Sequence, residues 1–231
     1  MSGRHAIDPP DSAQPHRWFA AQGREARNRL RFIWFGAEEL GLLGSRYYVN
    51  NLSAAEKDDI MAMLNFDMVG SPNFVRFVYD GDGSHSSPAG PPGSAFIEQV
   101  FVDYFNSQGL ASEPTQFSGR SDYGPFIAAG VDIPAGGLFT GAEGVKTPAQ
   151  AAIYGGTAGI AYDPCYHQAC DTFDNVSLIG LDQMSDAAAH AVLVMSRTKV
   201  DISITTATQP TLRSSTAIRP DFLPHEDDAT R

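Results

Sequence analysis

Nowhere does the sequence carry an apolar run of the roughly 20 residues needed to cross a bilayer as a helix, which removes helical membrane proteins from consideration. Cations are scarce. Sixteen Lys and Arg stand against 27 Asp and Glu, for a formal charge of −11, which argues against a nucleic-acid or anionic-membrane partner. Cysteine is scarcer still: the sequence holds 2, Cys165 and Cys170. Their spacing admits a short-loop disulfide in an oxidising compartment, two free thiols, or half of a metal site. No G-x-S-x-G elbow is present, which argues against a serine hydrolase built on Ser121, Asp122 and a histidine. The opening Met-Ser-Gly-Arg-His-Ala-Ile-Asp-Pro-Pro has no apolar signal core, so the cysteines point toward export while the start lacks the means for it.

What is present suits one large α/β domain, or one domain with a tail: 231 residues, 42% hydrophobic and 19% charged. Residues 1–16, with Pro9, Pro10 and Pro15, are expected to be irregular. Residues 17–200 carry the domain, and 201–231, rich in Thr, Ser and Pro and then acidic, read as a tail or linker. Within the domain, Arg17 to Arg29 suggests a basic amphipathic helix, and Phe32 to Phe35 a buried strand. Leu40 to Leu52 has helical spacing, and Ser53-Ala-Ala-Glu56 has the form of a capping box. Further strands are expected at Met61 to Phe66, Phe74 to Tyr79 and Ile133 to Phe139. Helices are expected at Ser94 to Gln108, around Phe126 to Ala129, and at Leu181 to Arg197. Residues 142–174 read as irregular. Strands alternating with helices predict an α/β three-layer sandwich.

Within this frame one theme recurs, an apolar strand or constrained loop ending at a potential metal ligand. Glu38 and Glu39 follow Phe35, Asp67 follows Phe66, and His167 lies inside Cys165-Tyr-His-Gln-Ala-Cys170. Carboxylate oxygen and imidazole nitrogen are zinc ligands, and a carboxylate beside a metal-bound water accepts its proton. A tyrosine next to such a histidine is placed to donate to a developing oxyanion. Each residue also has a plainer reading. The glutamates favour a helix N-terminus, Asp67 ends a strand, and His167 is a loop histidine stapled by a bridge.

The segments W-F-G-A-E-E-L-G-L-L-G-S, L-N-F-D-M-V-G-S-P-N, G-R-S-D-Y-G-P-F, G-G-L-F-T-G-A, Y-G-G-T-A-G, D-P-C-Y-H-Q-A-C-D and S-D-A-A-A-H-A occur in that order. Together they closely resemble the bacterial secreted aminopeptidases with two co-catalytic zinc ions, family twenty-eight of the metallopeptidases, from about Trp18 to Arg197. The resemblance implies a mixed, mostly parallel β-sheet between helices. It makes Glu38 the general base for the metal-bridging water, Glu39 and His167 ligands of one zinc, and Asp67 a ligand of the other. Tyr166 then hydrogen-bonds the substrate carbonyl oxygen. Arg120 corresponds to a substrate-contacting arginine. Met68, Gly119 and Phe139 correspond to the wall of an apolar pocket for large amino-terminal residues such as leucine. Asp182 and Asp186 match a calcium site, and Cys165–Cys170 a disulfide holding the Tyr-His loop.

The implied protein is secreted and monomeric, and acts on peptides with a free amino terminus. The resemblance also calls for a histidine and a bridging aspartate from H-x-D and D-D/N-x-S-G segments ahead of the first matched helix, and no such segments stand there. His5 and Asp8 have the wrong context to replace them. The chain is therefore expected to be the carboxyl-terminal part of such an enzyme, begun after its first strands. Two other readings stand beside the peptidase: a non-catalytic fragment or pseudo-enzyme serving as a binding or structural domain, and a single-zinc relative such as a glutaminyl cyclase.

Overall fold

The computed structural model describes residues 26–85 and 88–204. Its sheet is built from β1 (Met63–Phe66), β2 (Phe77–Tyr79), β3 (Glu113–Thr115) and β4 (Ala135–Phe139). The strands lie in the order β1-β4-β2-β3. The β1–β4 and β2–β3 pairs are parallel and the β2–β4 pair is antiparallel, so the sheet is mixed and mostly parallel, as expected. The close approach of β1 to β4 depends on Gly137. A Cβ there would lie 1.9 Å from the Asn65 carbonyl oxygen, a distance no side chain tolerates.

Helices cover both faces. On one, α3 (Ser94–Ser107) and α6 (Leu178–Arg197) bury Ile97, Phe101, Phe105, Met184 and Ala187 against Val78 and Leu138. Helical spacing puts Ile97, Phe101 and Phe105 on one stripe of α3, at the i, i+4, i+8 positions that face a core. On the other face, α1 (Leu43–Asn50) and the single-turn α4 (Gly124–Ile127) contribute Val49 and Phe126, which pack with Ile133. The alternation of strand residues divides the two cores: Leu64 and Leu138 face one, Met63 and Phe139 the other. The three-layer sandwich expected from the sequence is the observed architecture.

Short helices follow their caps. Ser53 and Glu56 form the expected capping box at α2 (Ala54–Asp58). A second box, Thr147 with Gln150 and Pro148 in the first turn, starts α5 (Pro148–Tyr154) inside the region expected to be irregular. The 3-residue β3 is also unforeseen, because Glu-Pro-Thr has no strand-like alternation. Conversely, α1 begins at Leu43 and not at Leu40, because Leu42 adopts the left-handed conformation, with φ of 60°.

The larger correction concerns Phe32 to Phe35, expected to be a buried strand. These residues belong to no strand, and Trp34 is 84% exposed. A strand needs a ladder partner, and none of the described residues supplies one. The expected helix from Arg17 lies outside the described residues as far as Glu25. Ala26 to Arg29 are not helical, and the Arg27 and Asn28 N–H groups both donate to the Ser196 carbonyl. The irregular amino terminus and the 201–231 tail lie outside the described residues, apart from 201–204.

Core and wall should respond differently to truncation. Phe101→Ala is expected to cost about 3–5 kcal/mol of unfolding free energy in urea titrations. Trp34→Ala should cost less than about 0.5 kcal/mol, as an exposed residue does.

Candidate active site

Glu38 and Glu39 are held by a turn with unusual backbone. Ala37 and Leu42 have φ of 58° and 60°. The Glu38 carbonyl accepts the N–H groups of Gly41 and Leu42, at 2.9 and 2.7 Å. Gly44 then crosses Gly36 so closely that a Cβ would meet its carbonyl oxygen at 2.6 Å. Left-handed backbone at a non-glycine residue costs roughly 1–2 kcal/mol, and such strain clusters at sites where side-chain direction matters.

His167 arrives from the opposite side with the same device, at φ of 58°. Its loop is closed by the Cys165–Cys170 disulfide, with Cα atoms 5.3 Å apart, which settles the alternatives left open for the cysteines. Asp163, buried beneath the loop, accepts the Cys165 N–H at 2.9 Å and the Asn175 amide at 2.8 Å. The Tyr166 and His167 rings pack with centroids 4.0 Å apart. The two halves meet at His167 Nε2 and Glu39 Oε1, which are 3.2 Å apart.

Asp67 follows β1 at the carboxyl end of the parallel β1–β4 pair, where α/β folds place ligands. Ser121 donates its hydroxyl to Asp67 Oδ2 at 2.6 Å, and the Asn65 amide donates to Ser121 at 3.0 Å. The sequence named Ser121 only for a hydrolase it then rejected, and gave no sign of Asn65. Nothing in one sequence shows that two residues 56 apart will touch. Met68, with φ of 49°, gives its carbonyl to the Thr140 N–H at 2.8 Å, tying this turn to the end of β4.

The carboxylates feel one another. Burial raises the Glu38 pKa first, then the charges of Asp67, Glu39 and Asp122, with His167 opposing. Tyr166 is raised by burial and then by Glu39 and Glu143. Arg120 pairs with Glu143 at 3.2 Å in an exposed contact and is raised by that bond first, then by the charges of Glu143, Tyr166 and Glu38. Glu38, Glu39, Asp67, Arg120, Tyr166 and His167 thus gather at one end of the sheet.

The expected pocket wall is less unified. Phe139 stacks on Phe77, and the Gly119 N–H donates to the Tyr123 hydroxyl at 2.9 Å. The large cleft beside the site is lined by Glu38, Glu39, Asp67, Ser121 and Asp122, but not by Met68, Gly119 or Phe139. Asp182 and Asp186 lie one turn apart on α6, and both raise the pKa of Tyr104 after burial does.

Among the described residues, three carboxylates approach closely enough to share a cation only at Asp80, Asp82 and Glu98. There, backbone N–H groups already use the oxygens: Ser84 and His85 donate to Asp80, and Gly81 and Asp82 donate to Glu98. That cluster is a braced loop. At the sheet end the chemistry differs. Two donors of one tetrahedral zinc stand roughly 3.3 Å apart, given bonds of about 2.0 Å, and the Glu39–His167 separation of 3.2 Å fits. Among the described residues, Asp67 forms no three-donor group with them.

Carboxylates and an imidazole thus converge on the carboxyl end of a mixed sheet, a donor set that could hold a metal. The chain belongs to Peptidase family M28, whose model matches residues 14–192. It is 53% identical over 184 residues to an aminopeptidase of Pseudomonas aeruginosa, covering 79% of this chain and 34% of that protein. Leucine aminopeptidase 2 of Trichophyton rubrum is 50% identical over 170 residues, with 74% and 34% covered. The structure of a zinc aminopeptidase from Bacillus subtilis aligns with a TM-score of 0.57 at 27% identity, covering 78% of this chain and 39% of that one. An aminopeptidase from Aneurinibacillus sp. strain AM-1 aligns at 0.52 and 26%, covering 74% and 34%. The chain therefore spans about a third of the length of these curated relatives.

The raised Glu38 pKa carries a stability signature in metal-free protein. Its carboxyl stays protonated longer when folded than when unfolded. Its stabilising contribution is complete below the ordinary value of 4.5 and is lost as pH rises through the raised value. Glu38→Gln in EDTA should therefore gain stability over the wild type between pH 4.5 and neutrality and show no gain near pH 3, as read from urea midpoints.

Proposed function

We propose that the chain carries part of the active site of a zinc aminopeptidase, one that removes large hydrophobic residues such as leucine from peptides with a free amino terminus. The observation that carries this reading is the pairing of Glu39 with His167 at 3.2 Å while Glu38, one residue away, points into the same space with a raised pKa. Adjacent carboxylates in a strained turn take separate roles, one as a metal ligand and one as a base.

In this reading Glu39 and His167 would hold one zinc and Asp67 the other, with Ser121 fixing the Asp67 carboxylate. Zinc, when bound, lowers the pKa of water and polarises the scissile carbonyl. Glu38 accepts the proton of the attacking water and passes it to the departing amine. A base with a raised pKa is better matched to neutral pH than an ordinary glutamate. The Tyr166 hydroxyl donates to the carbonyl oxygen as it gains charge, and the disulfide loop limits the motion of that hydroxyl. Arg120, tethered to Glu143, contacts the substrate from the rim. Met68, Gly119 and Phe139 contribute the apolar wall. A calcium ion at Asp182 and Asp186 is a further element of the proposal, as are secretion, in keeping with the disulfide, and a monomeric state.

The test is zinc content of the dialysed chain together with turnover of leucine p-nitroanilide. Zinc uptake that His167→Ala removes is the expected result for the part of the site this chain carries. Any turnover should be abolished by Glu38→Gln at unchanged zinc content, and turnover that survives that change would overturn the assignment of the base. No zinc uptake at all would sink the reading for this chain.

A further inference from the structure

The alternation along β1, Met-Leu-Asn-Phe, puts Asn65 on the same face as Met63, in the layer that holds Tyr79, Phe117 and Tyr123. Asn65 is 5% exposed there. An amide buried at a strand position suited to an apolar side chain costs free energy unless it is hydrogen-bonded. Its bond goes to Ser121, and counting protons gives that bond a direction. An ionised carboxylate only accepts, so the single Ser121 hydroxyl proton goes to Asp67 Oδ2 at 2.6 Å. Asn65 Nδ2 donates to the Ser121 oxygen at 3.0 Å, which turns the hydroxyl proton away from Asn65 and toward Asp67. The Tyr79 hydroxyl hydrogen-bonds the same amide, and it keeps its proton because burial raises its pKa. Ser121 also belongs to the turn that carries Gly119 and Arg120. Its carbonyl accepts the Gly124 N–H at 2.8 Å, while the Gly119 N–H donates to the Tyr123 hydroxyl at 2.9 Å.

We infer that Asn65 is a positioning residue: by donating to Ser121 it fixes the direction of that hydroxyl, and through it both the orientation of Asp67 and the place of the turn 118–124. Asn65 acts only through Ser121. The metal side and the substrate side of the site are thereby set by one buried amide, since Asp67 lies on one side of Ser121 in this chain of bonds and Arg120 beside it in sequence. The consequence for zinc rests on the reading of Asp67 as a ligand. A carboxylate already held in its binding orientation gives up less freedom when a cation arrives, and loss of such an outer partner weakens metal binding about 10–100-fold. The sign of the Asn65 dipole matters as much as its size. A carboxylate in its place would compete with Asp67 for the single Ser121 proton.

The test uses the full chain in EDTA, with NMR couplings reporting the Asp67 χ1 rotamer and amide exchange reporting residues 118–124. The wild type should hold one Asp67 rotamer. Asn65→Leu should average it and speed exchange across the turn at least about tenfold. Asn65→Asp, which keeps the size but replaces the donor with an acceptor, should do the same. Where Asn65→Leu does not fold, Asn65→Ala makes the comparison without crowding. Ser121→Ala should reproduce both effects, and adding Asn65→Leu to it should change neither further. In zinc titrations of the same proteins, Asn65→Leu should weaken binding about 10–100-fold, with no loss beyond that of Ser121→Ala in the double variant. An Asp67 rotamer and turn unchanged by the Asn65 substitutions would overturn the inference, whatever the zinc result. So would effects of Asn65→Leu and Ser121→Ala that add in the double variant, which is the mark of a role in packing alone. A wild-type chain that takes up no zinc would count against Asp67 as a ligand, while rotamer and exchange still decide the role of Asn65.

Discussion

The approach of β1 to β4 is the constraint on which the rest of the site depends. Gly136 and Gly137 let the two strands come within hydrogen-bonding distance while α3 presses Ile97 onto the sheet; a Cβ at Gly136 would already meet Ile97 at 2.4 Å. With larger residues there, the strands and α3 would separate. That pairing orients Asn65 inward, and Asn65 in turn holds Ser121, which holds Asp67. A backbone requirement in the middle of the sheet thus becomes a carboxylate orientation at its end. Thr140 repeats the connection one residue beyond β4, where its buried hydroxyl meets both Ser71 and Met68.

The other half of the site is organised by strain and local closure, without a sheet. Ala37, Leu42 and His167 all occupy left-handed backbone. A glycine at any of them would relieve that cost, but would also let the turn sample other directions. Two stiff turns, each anchored by its own hydrogen bonds, bring Glu39 and His167 together without a continuous element between them. Charge opposes the assembly: Asp67, Glu39 and Asp122 all act against ionisation of Glu38. A divalent cation would reverse the sign of that electrostatic balance.

Much of this was legible in the residues, and for identifiable reasons. Capping at Ser53 and the apolar stripe of α3 are local signals, and local structure obeyed them. Glu38, Glu39, Asp67 and His167 were recognisable because each ends a segment of distinct pattern, and the structure brings them to one place. The failures were matters of context. Phe32 to Phe35 has strand composition, but a strand is a relation between two segments and no described residue pairs with it. The β3 segment Glu-Pro-Thr has little strand composition, yet it has a partner in β2. The Asn65–Ser121–Asp67 chain was invisible because its members are far apart in sequence.

Among the described residues β1 forms an unpaired edge of the sheet, which has a consequence for the chain as a molecule in a cell. Exposed strand edges beside apolar side chains template association with other chains, and natural sheets protect them with charge, proline or a covering element. Around Phe32, Trp34 and Phe66 there is little such protection; Trp34 is 84% and Phe66 39% exposed. The well-packed cores beneath α3 and α6 hold the domain together but do not cover that edge. For this chain, colloidal behaviour and fold stability are set by different parts of the molecule.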